Sequence, residues 1–167
     1  MRDAFLPLPD DSRLWVRALA QPLDADGRAR LEAGLTEVLG NWRHKGHVYE
    51  GAWELLEDRL LAVVEPNMAT NPSGCAIDGM LRKVERLAQE AGAPLLDEDQ
   101  VVVRLGHELR AIPKAELGDR LADGTLGPET PVIDLALFNL GQLRQSLLEK
   151  PLGRTWIGRK YKVAVGA

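Results

Sequence analysis

Leu60-Leu61-Ala62-Val63-Val64 is the segment that most limits how this chain can fold. It is apolar at every position, lies between Arg59 and Pro66, and is too short for a helix. A strand covered on both faces reads this way. The preceding run, Ala52–Glu57, is separated from Arg59–Glu65 by an acidic pair, and the two are predicted to form a hairpin.

Helical patterns flank that hairpin. Leu31, Leu35, Val38, Leu39 and Trp42 fall on one face of a helix predicted from about Asp24 to His44. Asp24 is placed to cap it, and Gly46 to end it in a left-handed conformation. Ile77, Leu81, Val84, Leu87 and Ala88 form the stripe of a second helix from about Cys75 to Ala91, ended by Gly92 and Pro94. Leu14–Ala20 alternates with strand period ahead of the first helix. Val101–Leu105 and Glu108–Ile112 read as a second hairpin around Gly106-His107. A short helix follows from Pro113 to about Ala122, then an apolar run at Val132–Leu137. A last helix is expected from Asn139 to Lys150, with a basic, aromatic tail at Leu152–Ala167.

The order β-α-β-β-α-β, followed by C-terminal additions, predicts an α+β fold: an antiparallel sheet with helices on one face, arranged as a ferredoxin-like core. With 167 residues, the chain is expected to form a single domain over 1–167. Its apolar fraction of 45% and charged fraction of 28% are those of an ordinary globular protein.

The formal net charge of −4 gives no global attraction to nucleic acid or an anionic membrane, so neither is an expected partner. No apolar run approaches the ~20 residues of a membrane span. Met1–Pro7 does not read as a signal peptide. One cysteine, Cys75, cannot form an internal disulfide. A cytoplasmic location is expected.

Ser73-Gly74-Cys75-Ala76-Ile77-Asp78 carries the most chemistry. Asn71 or Ser73 can cap the second helix, which leaves Cys75 in its first turn. There the amides lack helical acceptors and the helix dipole is positive. Both effects favour a thiolate or a bound anion. Asp78, one turn on, opposes the thiolate. Cys75 also lies nearly opposite the Ile77–Leu81–Val84 stripe, so it is not aimed at the core beneath that helix. The bland alternative is a cysteine packed as a small hydrophobe.

A phosphate-cradling nucleotide loop is excluded, because the chain has no Gly-Lys pair. His44 and His47 are separated by a helix-breaking Gly46, and His107 sits in a turn. No metal site and no cofactor are expected. In the tail, Arg154, Trp156, Arg159, Lys160, Tyr161 and Lys162 have the composition of a single-strand binder. A tail that docks Trp156 on the core is the preferred reading.

Three features recur together in order: Leu8-Pro9-Asp10-Asp11-Ser12-Arg13-Leu14-Trp15, then Ser73-Gly74-Cys75-Ala76-Ile77-Asp78, then Phe138-Asn139-Leu140 with Trp156 and Arg159. On them the chain resembles a group of uncharacterised bacterial proteins of similar length, often labelled "ABC transporter ATPase". The resemblance implies a bacterial cytoplasmic protein. The label implies ATP hydrolysis, and these residues argue against it, since neither a Walker-type loop nor a transporter signature is present. Arg13, Trp15, Ser73, Gly74, Cys75, Asp78, Asn139, Trp156 and Arg159 are the positions the resemblance singles out.

The sequence thus leads to one functional expectation with two alternatives. The first is a non-catalytic protein that binds a small anion or a protein partner through Ser73, Gly74, Cys75, Asp78, Arg13, Trp156 and Arg159. The alternatives are a thiol-dependent enzyme using Cys75 and an assembly protein acting as a homodimer.

Overall fold

The computed structural model describes residues 5–65 and 72–164. The chain is α+β with antiparallel sheets, and it divides into two compact units. Unit 1 takes Met1–Leu95 and Ala136–Gln145; unit 2 takes Leu96–Leu135 and Ser146–Ala167.

In unit 1, β1 (Arg13–Ala18) and β4 (Ala52–Leu56) both pair antiparallel with β5 (Leu60–Glu65), giving the order β1-β5-β4. The doubly covered strand expected from the sequence is β5, every residue of which is buried. Beyond β1, Leu19 makes an antiparallel bridge to Leu95, and the Ala20 amide donates to the Pro94 carbonyl at 2.8 Å.

Two helices complete the layer. Asp24 caps α1 (Ala25–Gly40) through the Gly27 amide, and Ser73 caps α2 (Gly74–Glu90) through the Ala76 amide. Leu31, Leu35 and Leu39 of α1 and Ala76, Met80, Val84 and Ala88 of α2 share one buried cluster with Leu61 and Val63 of β5. Ile77, Leu81 and Leu87 lie at the margin of that cluster, so the buried stripe is centred one residue away from the predicted one.

The two helices approach closely at two glycines of α1. A Cβ on Gly27 would come within 2.4 Å of the Ala91 carbonyl oxygen, and one on Gly34 within 2.5 Å of a Leu87 methyl.

The first helix ends earlier than its sequence pattern suggests. It stops at Gly40, and β2 (Arg43–His44) turns back through Lys45 and Gly46 to β3 (His47–Val48). Both turn residues have positive φ (48° and 83°), the geometry of a two-residue hairpin turn. Gly46 therefore serves this hairpin rather than ending the helix.

Unit 2 is built on the four-stranded order β7-β6-β8-β9. Its strands are β6 (Gln100–Leu105), β7 (Glu108–Pro113), β8 (Pro131–Ile133) and β9 (Glu149–Pro151). Val101–Leu105, expected as the last strand of the first sheet, pairs here with β7 and β8 instead. The helices are α3 (Leu117–Ala122) and α5 (Trp156–Tyr161). Val101, Val103, Ile112, Leu117, Leu126, Val132, Leu152 and Ile157 form the core of the unit.

The long helix expected over Asn139–Lys150 is only α4 (Leu140–Arg144), which belongs to unit 1. Ser146 has φ 58°, and Glu149–Pro151 is strand β9, paired with β8.

Candidate functional site: the start of the second helix

Ser73 adopts extended backbone (φ −65°, ψ 160°), and its hydroxyl accepts from the Ala76 amide at 3.3 Å. The Ser73 carbonyl accepts the first helical bond, from Ile77 at 3.0 Å. Asn71, the alternative cap, lies outside the described residues. The Gly74 and Cys75 amides occupy positions that have no acceptor inside a helix. Ser73, Gly74, Cys75 and Asp78 are exposed, and Pro72 before them is buried. Cys75 is thus directed away from the core, as its helical position predicts. Asp78 follows it at i+3, on the same face.

Aromatic residues hold the opening turn in place from below. The Trp42 indole donates to the Ala76 carbonyl at 3.1 Å. Trp42 meets Trp15 edge-on at a centroid distance of 6.2 Å and Tyr49 at 5.1 Å. A buried indole N–H needs an acceptor, and here that need fixes the helix start to the end of α1.

Arg13 stands beside this turn. Its Nη1 donates to the Pro72 carbonyl at 3.5 Å. Its backbone bridges Asn139, the Leu14 amide donates to Phe138, and the Leu140 amide donates to Ser12. Arg13 is also the cross-strand partner of the buried Glu65. Asn139 is the cap of α4, in a reciprocal box with Gln142. Arg13, Trp15, Ser73, Gly74, Cys75, Asp78 and Asn139 therefore all belong to unit 1, tied together through Pro72, Trp42 and the Arg13–Asn139 bridge.

Trp156 and Arg159 lie on α5 of unit 2. Trp156 is not docked on the core as expected: its neighbour Ile157 is fully buried, while Trp156 is 38% exposed. The Lys114 and Lys160 ammonium groups lie over its ring at 5.8 and 5.9 Å.

His44 and His47 are cross-strand partners in the β2–β3 hairpin, and His107 is exposed in the β6–β7 turn. Among the described residues no group of three or more His, Cys, Asp or Glu side chains could hold a metal ion. No helix among them is long and apolar enough to cross a membrane.

Sequence reasoning did not assign Trp42 and Tyr49 to this site. Their only sequence signal is an aromatic pair flanking a Lys-Gly turn, which marks a hairpin once the helix is known to stop at Gly40. Comparison with protein-family models, curated proteins and solved structures finds no match.

Proposed function

We propose that the chain is a non-catalytic binding protein whose site is the start of α2, taking a small anion or an anionic group of a protein partner. The observation that carries this reading is that Ser73, Gly74 and Cys75 are exposed while the Arg13 guanidinium reaches the preceding carbonyl. Amides without helical acceptors, the positive end of the dipole and an adjacent cation together favour negative charge.

Titration of the 15N-labelled chain with inorganic phosphate tests it. Amide shifts should concentrate at Gly74 and Cys75, and Arg13→Gln should weaken binding roughly tenfold, the loss typical of one charged hydrogen bond. Shifts spread evenly over the surface would reject the reading.

Exposure of Cys75 favours a second reading, a thiol-dependent enzyme. Iodoacetamide should then modify Cys75 faster than free cysteine at the same pH, and an equal or slower rate removes that reading. The third reading, an assembly protein, requires a homodimer through a sheet edge, which light scattering would register.

We further propose that unit 1 is a reduced ferredoxin-like core, supported by the order β1-β5-β4 and the single Leu19–Leu95 bridge where a fourth strand would lie. The location proposed is the cytoplasm of a bacterium, within the family the chain resembles. The grouping of Arg13, Ser73 and Asn139 supports that kinship, and ATP hydrolysis is not part of the proposal.

A further inference from the structure

Charge in unit 2 is sorted in a way that the start of α2 does not use. Arg104, Arg110, Arg120 and Lys150 each reach a carboxylate, on Glu149, Glu108, Glu116 and Asp134 respectively. Lys114, Arg154, Arg159, Lys160 and Lys162 form no ion pair among the described residues, although the unit carries further exposed carboxylates. All but Lys114 come from the segment at and around α5, and Lys114 joins them over the Trp156 ring. Lys160 also lies over Tyr161, at 5.2 Å.

We propose that this face is a docking site for an acidic protein segment, one whose carboxylates alternate with apolar side chains. The cations supply charge complementarity. The exposed Trp156 supplies the aromatic anchor typical of protein interfaces.

Two observations favour a short acidic segment over a nucleic acid or a membrane. Ammonium groups already ride on the Trp156 ring, so a stacking base would have to displace them. The basic field is also small and bounded. The exposed Asp97, Glu98 and Asp99 adjoin it, and the Lys114 amide donates to the Asp99 carbonyl at 2.7 Å. A continuous polyanion or a charged plane would run onto those carboxylates, whereas a short segment would not.

Fluorescence anisotropy with the full chain and a fluorescein-labelled peptide of alternating glutamate and leucine tests the proposal. The peptide should bind at low salt and weaken as salt rises. Lys114→Glu with Lys160→Glu should weaken binding at least about tenfold, and Trp156→Ala several-fold, with circular dichroism unchanged. If that double variant does not fold, Arg159→Glu with Lys162→Glu, both on exposed side chains, should give the same loss. Arg13→Gln should leave peptide binding unaltered, which separates this face from the start of α2. The proposal is overturned by absence of binding at low salt, by undiminished binding to the charge-reversed chain, or by loss of binding in Arg13→Gln. Tighter binding of labelled oligothymidylate or of phosphatidylserine vesicles would overturn it equally.

Discussion

Glu54 points from β4 into the interior with 2% of its surface exposed, and burial raises its carboxyl above the ordinary value of 4.5. The folded chain therefore holds that proton more tightly than the unfolded chain does. The associated stability is fully present below the unfolded value and is lost as pH rises through the raised one. Glu54→Gln, which carries no charge at any pH, should melt at a higher temperature than the natural chain at pH 7.5. The difference should close as pH falls towards the ordinary carboxylate range. Thermal melts monitored by circular dichroism across pH would show a constant difference if burial were not the cause. Arg59, at the β4–β5 turn, is also buried and is drawn below its usual value by desolvation. Its Nη2 donates to the Ala20 carbonyl at 2.9 Å, so the cation fastens the turn to the end of β1. Residues of this kind were invisible in the sequence. A glutamate in a short amphipathic run reads as the solvent face of a strand, and only the second covered face of the sheet reverses that reading.

Between elements, glycine positions decide how closely α1 and α2 approach. The sign of each substitution follows from what the added methyl meets. At Gly27 it meets a backbone carbonyl, which cannot move without shifting the end of α2; at Gly34 it meets the tip of Leu87, which can rotate. Alanine gains about 1 kcal/mol of helix propensity over glycine at either site. Overpacking against rigid structure costs about 1–3 kcal/mol. Gly27→Ala should therefore be net destabilising, by up to about 2 kcal/mol, while Gly34→Ala should be within about 1 kcal/mol of neutral. Urea unfolding of the pair measures this, and equal effects would contradict it.

Local signals placed several elements well. Asp24 and Ser73 cap the two long helices as their side chains predict, and the acidic pair Glu57-Asp58 turns the β4–β5 hairpin. Signals failed where distant partners decide. The helical stripe through Trp42 is cut short at Gly40, where the chain turns into the β2–β3 hairpin and the Trp42 indole bonds to Ala76, far along the chain. The helical pattern over Asn139–Lys150 gives way where β9 finds β8. In the tail, Trp156 and Ile157 are adjacent and both apolar, so sequence cannot say which one turns inward. Helix α5 packs locally on the turn before it: a Cβ on Gly158 would strike the Gly153 backbone at 2.4 Å.

At the scale of the whole molecule, each unit has its own apolar cluster, and unit 1 is assembled from two separated stretches of chain. Residues 136–145 supply the Phe138 carbonyl to the Leu14 amide, the Leu140 amide to Ser12 and the Gly141 amide to Asp10. Arg144 adds an ion pair with Asp10 and a bond to the Phe5 carbonyl. A chain of residues 1–95 joined by a flexible linker to 136–145 should therefore melt higher than residues 1–95 alone. The bonds at stake contribute about 1 kcal/mol each. Identical melting curves would show that the second stretch does not complete the first.

The two-part construction of unit 1 also sets an order of events on the ribosome. Residues 1–95 emerge first, but the Leu14 amide must wait for Phe138, so all of residues 96–135 are translated before that edge of β1 is closed. During this interval the nascent chain presents an open strand margin, the kind of surface that holding chaperones occupy. Slow codons placed just before residue 136 would prolong the exposure and should lower the yield of native protein without changing a single amino acid.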